Sequence, residues 1–445
     1  MRHDERATSR GDTAASPPTA APALPIATAA AGVAARPSAA AFGALRLPGY
    51  RAHFLTYVIA MMADNIEHVI SYWVAFQKFH SPALGGFAVV SHWLPFLGFS
   101  VAVGALNDRF DSRRIIQIAM AMFMAVSAGW GYFFLTDSLQ QWHAMVLLCV
   151  HGCAGVLWQT SSQMLIYDIV GPTMLPSAVR LNATGRYLGV LVGPAVGGAS
   201  LVLLGPVRGM FVNTAFYLPL VIWLIAAPYG RKFRAAAAGP KRAIRGLADI
   251  LQTIRDVRGV PVIGAMIVLA GASSCFIGNS YQAQMPSFAT DLGYANQGVA
   301  YSVLLAADAA GALLAGFVLE TRGGLVRTEP RSALRLAIVW ALALGVFASV
   351  RSYPLALPLL FVAGFCELSF SSVAQTLVQM NAPGEIRGRV LGLFNMAALG
   401  LRALSGVTVG LVGSLISVHV SLAAAAGGFI VVAVLVSRRS VAPAA

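Results

Sequence analysis

Charged residues are scarce. Only 11% of the 445 residues are Asp, Glu, Lys or Arg, while 58% are hydrophobic and the mean hydropathy is +0.73. Soluble domains carry about 25% charged residues, so a water-soluble globular protein is excluded and the chain reads as an integral membrane protein. Lysine is nearly missing, with 3 residues against 28 arginines, a bias typical of a GC-rich bacterial genome. The four cysteines, Cys149, Cys153, Cys275 and Cys366, all lie in apolar runs, which excludes a disulfide framework and reads as small buried hydrophobes. Cys149 and Cys153 flank His151 at one helical turn, but with no further ligand in register no metal site is expected. A nucleotide-cradling glycine loop, paired metal ligands in a loop and a polar domain to house a reaction are all missing. No enzyme activity and no cofactor are therefore expected.

Acidic residues are outnumbered 17 to 31, giving a net charge of +14. In a soluble protein this excess would suggest nucleic acid, but in a membrane protein the position of the basic residues decides. Residues 1–48, rich in Ala, Pro, Ser and Thr, read as a disordered tail that needs no cleaved leader. Twelve apolar runs of about twenty residues follow, each long enough to cross a bilayer. They cover 52–76, 83–105, 115–135, 142–167, 182–204, 208–228, 260–285, 297–319, 333–350, 354–379, 389–413 and 416–437. An even number of spans puts both termini on one side. If that side is the cytoplasm, 26 basic residues fall in the tails, the even-numbered loops and their flanks, satisfying the positive-inside rule. The charge then reports orientation and contact with anionic lipid rather than nucleic acid. The longest internal loop, 230–258, holds eight basic residues. In it Ile244, Leu247, Ile250, Leu251, Ile254 and Val257 form an apolar stripe facing Arg245, Asp249, Gln252 and Arg255, the pattern of an amphipathic helix on the membrane surface. This loop divides the chain into an N-terminal bundle at 49–229 and a C-terminal bundle at 259–437, followed by a tail at 438–445.

Three motifs organise this plan. In the fifth run Gly185, Gly189, Gly193 and Gly197 recur every four residues, with Pro194 and Gly198 beside them, making a side-chain-free stripe where another backbone can approach. Such a kinked, smooth-faced helix suits a seam where two bundles rock against each other. The turn after the second run reads Gly104-Ala-Leu-Asn-Asp108-Arg109-Phe-Asp111-Ser-Arg113-Arg114, an acid among arginines that can form a charge cluster in one conformation and lose it in another. Before the eleventh run stands Asn381-Ala-Pro383-Gly-Glu-Ile-Arg387-Gly388-Arg389-Val390. The halves are weak copies: Gly104…Asp108 recurs as Gly316…Glu320, 212 residues on, and Arg180 recurs as Arg389, 209 residues on.

On these motifs the chain resembles the drug/proton antiporters of the major facilitator superfamily, in the branch that includes the enterobactin exporter and macrolide-efflux proteins. The loop motif departs from the family pattern at Asp111, which stands where a glycine is usual, and at the inserted Ser112. The resemblance implies an all-α membrane fold of twelve transmembrane helices in two pseudo-symmetric six-helix bundles. It further implies that Asp108 and Arg109, with Arg113 and Arg114, lock the outward-facing state against Asp168 and Arg180.

Within the spans, buried charges are the sharpest functional signal, since a charge at mid-bilayer costs about 2.5–3.5 kcal/mol on insertion scales. Asp64, Glu67, His68 and Ser71 share one face of the first span, where two carboxylates and an imidazole can hold and pass a proton. A structural pairing with Arg186 or with polar groups on a neighbouring span is the alternative. In the second half Asp308, Glu367 and Arg402 lie near mid-span; Glu367 and Arg402 can pair as a pin or a latch, and Asp308 has no obvious partner. Around a central cavity the family arrangement would gather His151, Gln159, Gln163, Asn279, Gln282 and Gln375, with Trp73, Trp93, Trp158, Phe276 and Phe370 as candidate apolar walls.

The function expected is export of a hydrophobic or amphipathic, drug-like or siderophore-like small molecule, driven by inward proton flow in a bacterial inner membrane, by a monomer with both termini cytoplasmic. A proton-linked importer, a lysophospholipid transporter of the same fold and a non-transporting sensor are the alternatives. The substrate's identity, the proton stoichiometry and the pairing of the buried charges are beyond the sequence.

Overall fold

The computed structural model describes residues 41–80, 82–230, 246–278, 280–293, 298–322, 326–405, 409, 413 and 416–440. Most of the N-terminal tail, the first half of the 230–258 linker and Asn279 lie outside the described residues. Helix α1 (Pro48–Phe79) starts on a proline, which costs no helical hydrogen bond at that position. It is followed by α2 (Pro82–Arg109) and α3 (Ser112–Leu135). Asp111 supplies the N-cap of α3: its Oδ1 accepts the Arg113 N–H at 3.0 Å. The departure from the family glycine at this position therefore has a structural use.

Helix α4 (Gln141–Phe216) holds three spans, because its dihedrals leave the helical region at Gly171 (φ 65°) and Gly205 (φ 74°). Each glycine precedes a proline, Pro172 or Pro206, and the positive φ that only glycine adopts cheaply reverses the chain. Dihedrals stay helical through Pro194. The sixth span ends in α5 (Leu218–Ala226), and α6 (Leu247–Asp256) forms in the linker. The seventh span is broken: α7 (Pro261–Phe276) stops before Gly278 (φ 50°) and gives way to the short α8 (Ser280–Ala283) and α9 (Met285–Asp291). Then come α10 (Gly298–Thr321), α11 (Pro330–Ser349) and α12 (Tyr353–Asn381). The eleventh span is interrupted as well, by a π turn at Met396–Gly400 between α13 (Arg387–Asn395) and α14 (Arg402–Ser405). Helix α15 (Val418–Ser440) completes the order.

Seven helical stretches among the described residues are long and apolar enough to cross a membrane, and one, Gln141–Ala226, holds three spans. With α1 and the two interrupted spans the fold has twelve.

The glycine stripe of the fifth span packs inside the N-terminal half rather than between the halves, correcting the expected rocking seam. A Cβ on Gly189 would stand 2.6 Å from Met61 Cβ, one on Gly193 2.5 Å from Asn65 Cβ, and one on Gly197 3.2 Å from Ile66 Cα. All three neighbours are on α1, so the glycines bring α1 and the fifth span into backbone contact. Gly198 has open space around its Cα. Close glycine contacts between the halves come instead from Gly388, Gly392 and Gly400 against α2, and from Gly316 of α10 against Thr184 of the fifth span. A Cβ on Gly388 would overlap the Gly104 carbonyl, one on Gly392 the Ser100 carbonyl, and one on Gly400 would lie 2.6 Å from Leu97 Cα.

Two further expectations change. Asp249 does not face away from the protein: it is buried, as are Thr253 and Val257 on the same side of α6, while Leu251 (62% exposed) and Ile254 point outward. Cys149 is exposed on the outer surface of the fourth span rather than buried.

Candidate functional site

A five-residue cluster of acids and imidazoles sits between α1, α2 and the fourth span. Glu67, 2% exposed, is held on both oxygens. Its Oε1 lies 2.8 Å from His151 Nδ1, and its Oε2 accepts a short hydrogen bond from Ser127 Oγ. Asn213 Nδ2 donates to Ser127 Oγ at 3.1 Å, which leaves the hydroxyl proton free to face the carboxylate. Facing an ionised Glu67, which accepts only, His151 would donate from Nδ1. Its other nitrogen, Nε2, lies 3.1 Å from Asp64 Oδ1 without an aligned hydrogen bond. The buried imidazole thus stands between the two carboxylates, while the rings of His68 and His92 approach it at 4.7 and 5.5 Å between centroids. Phe123 closes the back of the His151 ring, edge-on at 4.8 Å.

Asp64, His68 and His92 open onto a cavity of about 240 Å³ whose apolar walls include Trp93, Phe96, Phe123 and Trp158. A second, more polar cavity of about 100 Å³ lies beside it, with Tyr57, Gln163, Asn182, Trp340, Glu367 and Gln375 among its lining residues. Gln159, Arg186, Leu399 and Arg402 line both, so two cations stand where the spaces meet. The π turn of the eleventh span contributes Ala398 and Leu399 here. The Ala398 carbonyl accepts from Ser274 Oγ at 2.6 Å and from Arg402 Nε at 3.2 Å, and the Arg402 guanidinium lies 5.1 Å over the Trp93 ring. A π turn shifts the helical ladder by one residue, and here the carbonyl at that shift orients Arg402.

The acids of the second half form their own network. Tyr281 OH is within 3.1 and 3.2 Å of the Asp308 oxygens and 3.4 Å from Glu367 Oε2, and Gln282 Nε2 donates to Asp308 Oδ2 at 2.8 Å. Asp308 therefore has partners that the sequence did not reveal. The expected Glu367–Arg402 pair does not form: no ion pair within 4 Å joins them among the described residues, although both line the smaller cavity.

At one end of the molecule, where the α2–α3 turn and α6 lie, two acid–arginine clasps join the halves. Asp108 accepts from the Gly388 and Arg389 N–H groups at 2.7 and 3.2 Å and from Arg389 Nη1 at 3.1 Å. Its carboxylate caps the first turn of α13, where the helix dipole favours negative charge. Arg389 also meets Asp249 of α6 at 3.2 Å. The second clasp is Arg180 Nε to Glu320 Oε1 at 2.7 Å, with Ser177 Oγ donating to the other oxygen. Arg180 therefore pairs with Glu320, not with Asp108, which corrects the expected lock. The two pairs are copies under the internal repeat: the acid ending span two holds the arginine entering span eleven, and the acid ending span eight holds the arginine entering span five.

The remaining candidates divide. Arg109 and Arg114 are exposed at the turn, and Arg113 binds Asp111 at 2.9 Å and the Ala227 carbonyl. Asp168 is half-buried on the fourth span, and Pro194 is exposed. Trp73 is 52% exposed and lines neither cavity, and Phe276 packs against Gly428 instead. Gln163 bridges the halves by donating to Asn395 Oδ1 at 3.0 Å, and Asn395 donates to Thr160 Oγ1. The sequence reading missed His92, Tyr57, Asn182, Trp340 and Asn395. A lone histidine in an otherwise apolar second span was the one usable signal among them.

Comparison with known proteins bears on the family and the fold. The family model described as "Transmembrane secretion effector" matches residues 39–444. Similar relatives include the multidrug efflux pump Tap of Mycobacterium tuberculosis, 24% identical over 79% of this chain and 84% of its own. The enterobactin exporter EntS of Escherichia coli is 22% identical over 87% and 91%. Among solved structures, the E. coli fucose:proton symporter FucP superposes with a TM-score of 0.69 at 12% identity, covering 90% of this chain and all of that one. The proton:xylose symporter XylE gives 0.67 at 16% identity, covering 89% and 96%. Twelve helices in two pseudo-symmetric six-helix bundles, clasped by repeat-related acid–arginine pairs, are the major facilitator fold, and the chain belongs to the transmembrane secretion effector family of that superfamily.

Proposed function

We propose that this protein is a secondary active exporter that moves a hydrophobic or amphipathic small molecule outward in exchange for inward protons. The observation that carries the reading is the line Asp64–His151–Glu67. A carboxylate on the cavity wall faces one nitrogen of a buried imidazole, whose other nitrogen binds a second, fully buried carboxylate. A proton arriving on Asp64 can pass to His151 Nε2 while the Nδ1 proton moves onto Glu67, so the site stores a proton away from the cavity that admitted it. The aromatic walls and the Arg186 and Arg402 guanidiniums suit a substrate with an apolar body and polar or anionic groups. The names of Tap and EntS, both exporters, support the direction.

Membrane orientation follows from the distribution of basic residues: the clasp end, with its arginines, is cytoplasmic, as are both termini. With both clasps made, the cytoplasmic end is shut and the cavity serves the outside. Protonation of the relay and release of substrate then favour breaking the clasps, and coupling requires only that proton and substrate differ in affinity for the two states. The bundles are taken as 49–229 and 259–437, with the linker helix lying along the inner membrane surface through Leu251 and Ile254. The test is proton counterflow in vesicles presented with siderophores, macrolides and cationic dyes. Export without proton movement in the wild-type protein would contradict the reading.

A further inference from the structure

The proton relay has a feature that proton transfer does not need. Three imidazoles from three different helices, His68 of α1, His92 of α2 and His151 of the fourth span, converge so that one ligand atom from each lies within 4.8 Å of the others. The Asp64 carboxylate is not one of these three but stands 3.1 Å from His151 Nε2. His151 Nδ1 lies 2.8 Å from Glu67, whose carboxylate when ionised would accept from it, and Glu67 is itself held by Ser127 and, through it, Asn213. The Nε2 of His151 is buried and without an aligned hydrogen-bond partner. A ligating histidine whose second nitrogen donates to a carboxylate, itself backed by further hydrogen bonds, is the usual outer-shell arrangement of a metal site. Two imidazoles bound to one ion at about 2.1 Å in a tetrahedron stand about 3.4 Å apart, so closing the site takes side-chain rotations rather than backbone movement. His68 and His92, half-buried on the wall of the larger cavity, have room to make them.

We propose that His68, His92 and His151, with Asp64 as fourth ligand, bind a divalent first-row transition ion of the zinc type. Imidazole and carboxylate together suit Zn²⁺ and Co²⁺ and are poor for Mg²⁺ and Ca²⁺, which prefer all-oxygen shells. The charges facing the site are Asp64 and Glu67 on α1, with Arg186 and Arg402 across the cavity. Binding of the ion rests on this geometry and not on the proton-coupling reading.

The test titrates the full-length purified protein, carrying no polyhistidine tag, with Co²⁺ and follows visible ligand-field absorption, then displaces Co²⁺ with Zn²⁺. One ion per chain is expected. His68→Ala and His92→Ala should each weaken binding at least about tenfold. Glu67→Gln, which leaves all four ligands in place, should weaken it about 10- to 100-fold through the lost outer-shell carboxylate. Wild-type protein that takes up no Co²⁺ in a 1:1 ratio overturns the proposal. So does a His68→Ala/His92→Ala double variant that elutes as wild type on size exclusion and binds the ion at full affinity. Counterflow measured in parallel with a chelator present separates the two readings. Counterflow without Co²⁺ binding sinks only the metal site, and Co²⁺ binding without counterflow sinks only the proton-coupling reading.

Discussion

At the scale of single residues, the buried Glu67 is the one to test. Gln in its place keeps an acceptor for Ser127 and the same volume, so folding should survive, but the position can no longer take a proton. Glu67→Gln is expected to abolish proton-driven export while leaving substrate binding within a few-fold of wild type, measured by substrate-induced quenching of tryptophan fluorescence. Loss of both would mean that Glu67 only holds the helices together. His151→Ala should be more severe, because it opens a hole between α1 and the fourth span and strands two carboxylates, a loss on the order of 3–5 kcal/mol for a broken buried charge pair. The shared face of Asp64, Glu67 and His68 was legible from the i, i+3, i+4 spacing on one helix. Their actual partners were not, because Ser127, His92 and His151 come from other helices, and no periodicity within α1 says which neighbours approach. Asp308 shows the same limit, its partners Tyr281 and Gln282 being presented by the break of the seventh span at Gly278.

At the scale of elements, glycine spacing announced close helix contacts but not which helix would come close. The fifth-span stripe was expected at a moving seam and instead lies against α1, while the less regular Gly388, Gly392 and Gly400 bring α13 and the π turn against α2. A Cβ at Gly392 meets backbone atoms of Ser100 and Val101, which cannot swing aside. Gly392→Leu should therefore hold the clasp end open. Cysteines introduced on α2 and α13 near that end are expected to crosslink readily in otherwise wild-type protein and poorly in the variant; equal crosslinking would place the moving contact elsewhere. Helix α6 was legible as amphipathic from its stripe, yet its docking was not. Asp249 turns inward because Arg389 offers a buried cation that has two acids to share, an arrangement that only the folded pair of halves creates.

At the scale of the whole molecule, the internal repeat carries the account. Offsets of 212 and 209 residues in the sequence become two equivalent clasps in space, Asp108–Arg389 and Glu320–Arg180. The fold class, the number of spans and the repeat were all readable from apolar runs and recurring motifs, since membrane insertion imposes them span by span. The clasps' partner exchange was not, because each pair joins one half to the other and depends on how the halves dock. Arg389→Ala removes the guanidinium that Asp108 and Asp249 share, and about 3–5 kcal/mol lost from one conformation is enough to reverse a two-state population. Arg389→Ala and Arg180→Ala are each expected to shift spin-label distances across the clasp end toward the open form, the double variant most of all. Unchanged distances in the double variant would show that glycine packing, not the charges, sets the state.

The central claim, that export is coupled to protons through the Asp64–His151–Glu67 line, is met most directly by following internal pH in vesicles holding wild type or the Asp64→Asn/Glu67→Gln variant while substrates are added. Substrate-dependent proton movement in the wild type that disappears in the double variant is the predicted result. Proton movement that persists undiminished in the double variant would contradict the assignment and move coupling to the Asp308–Tyr281–Glu367 network.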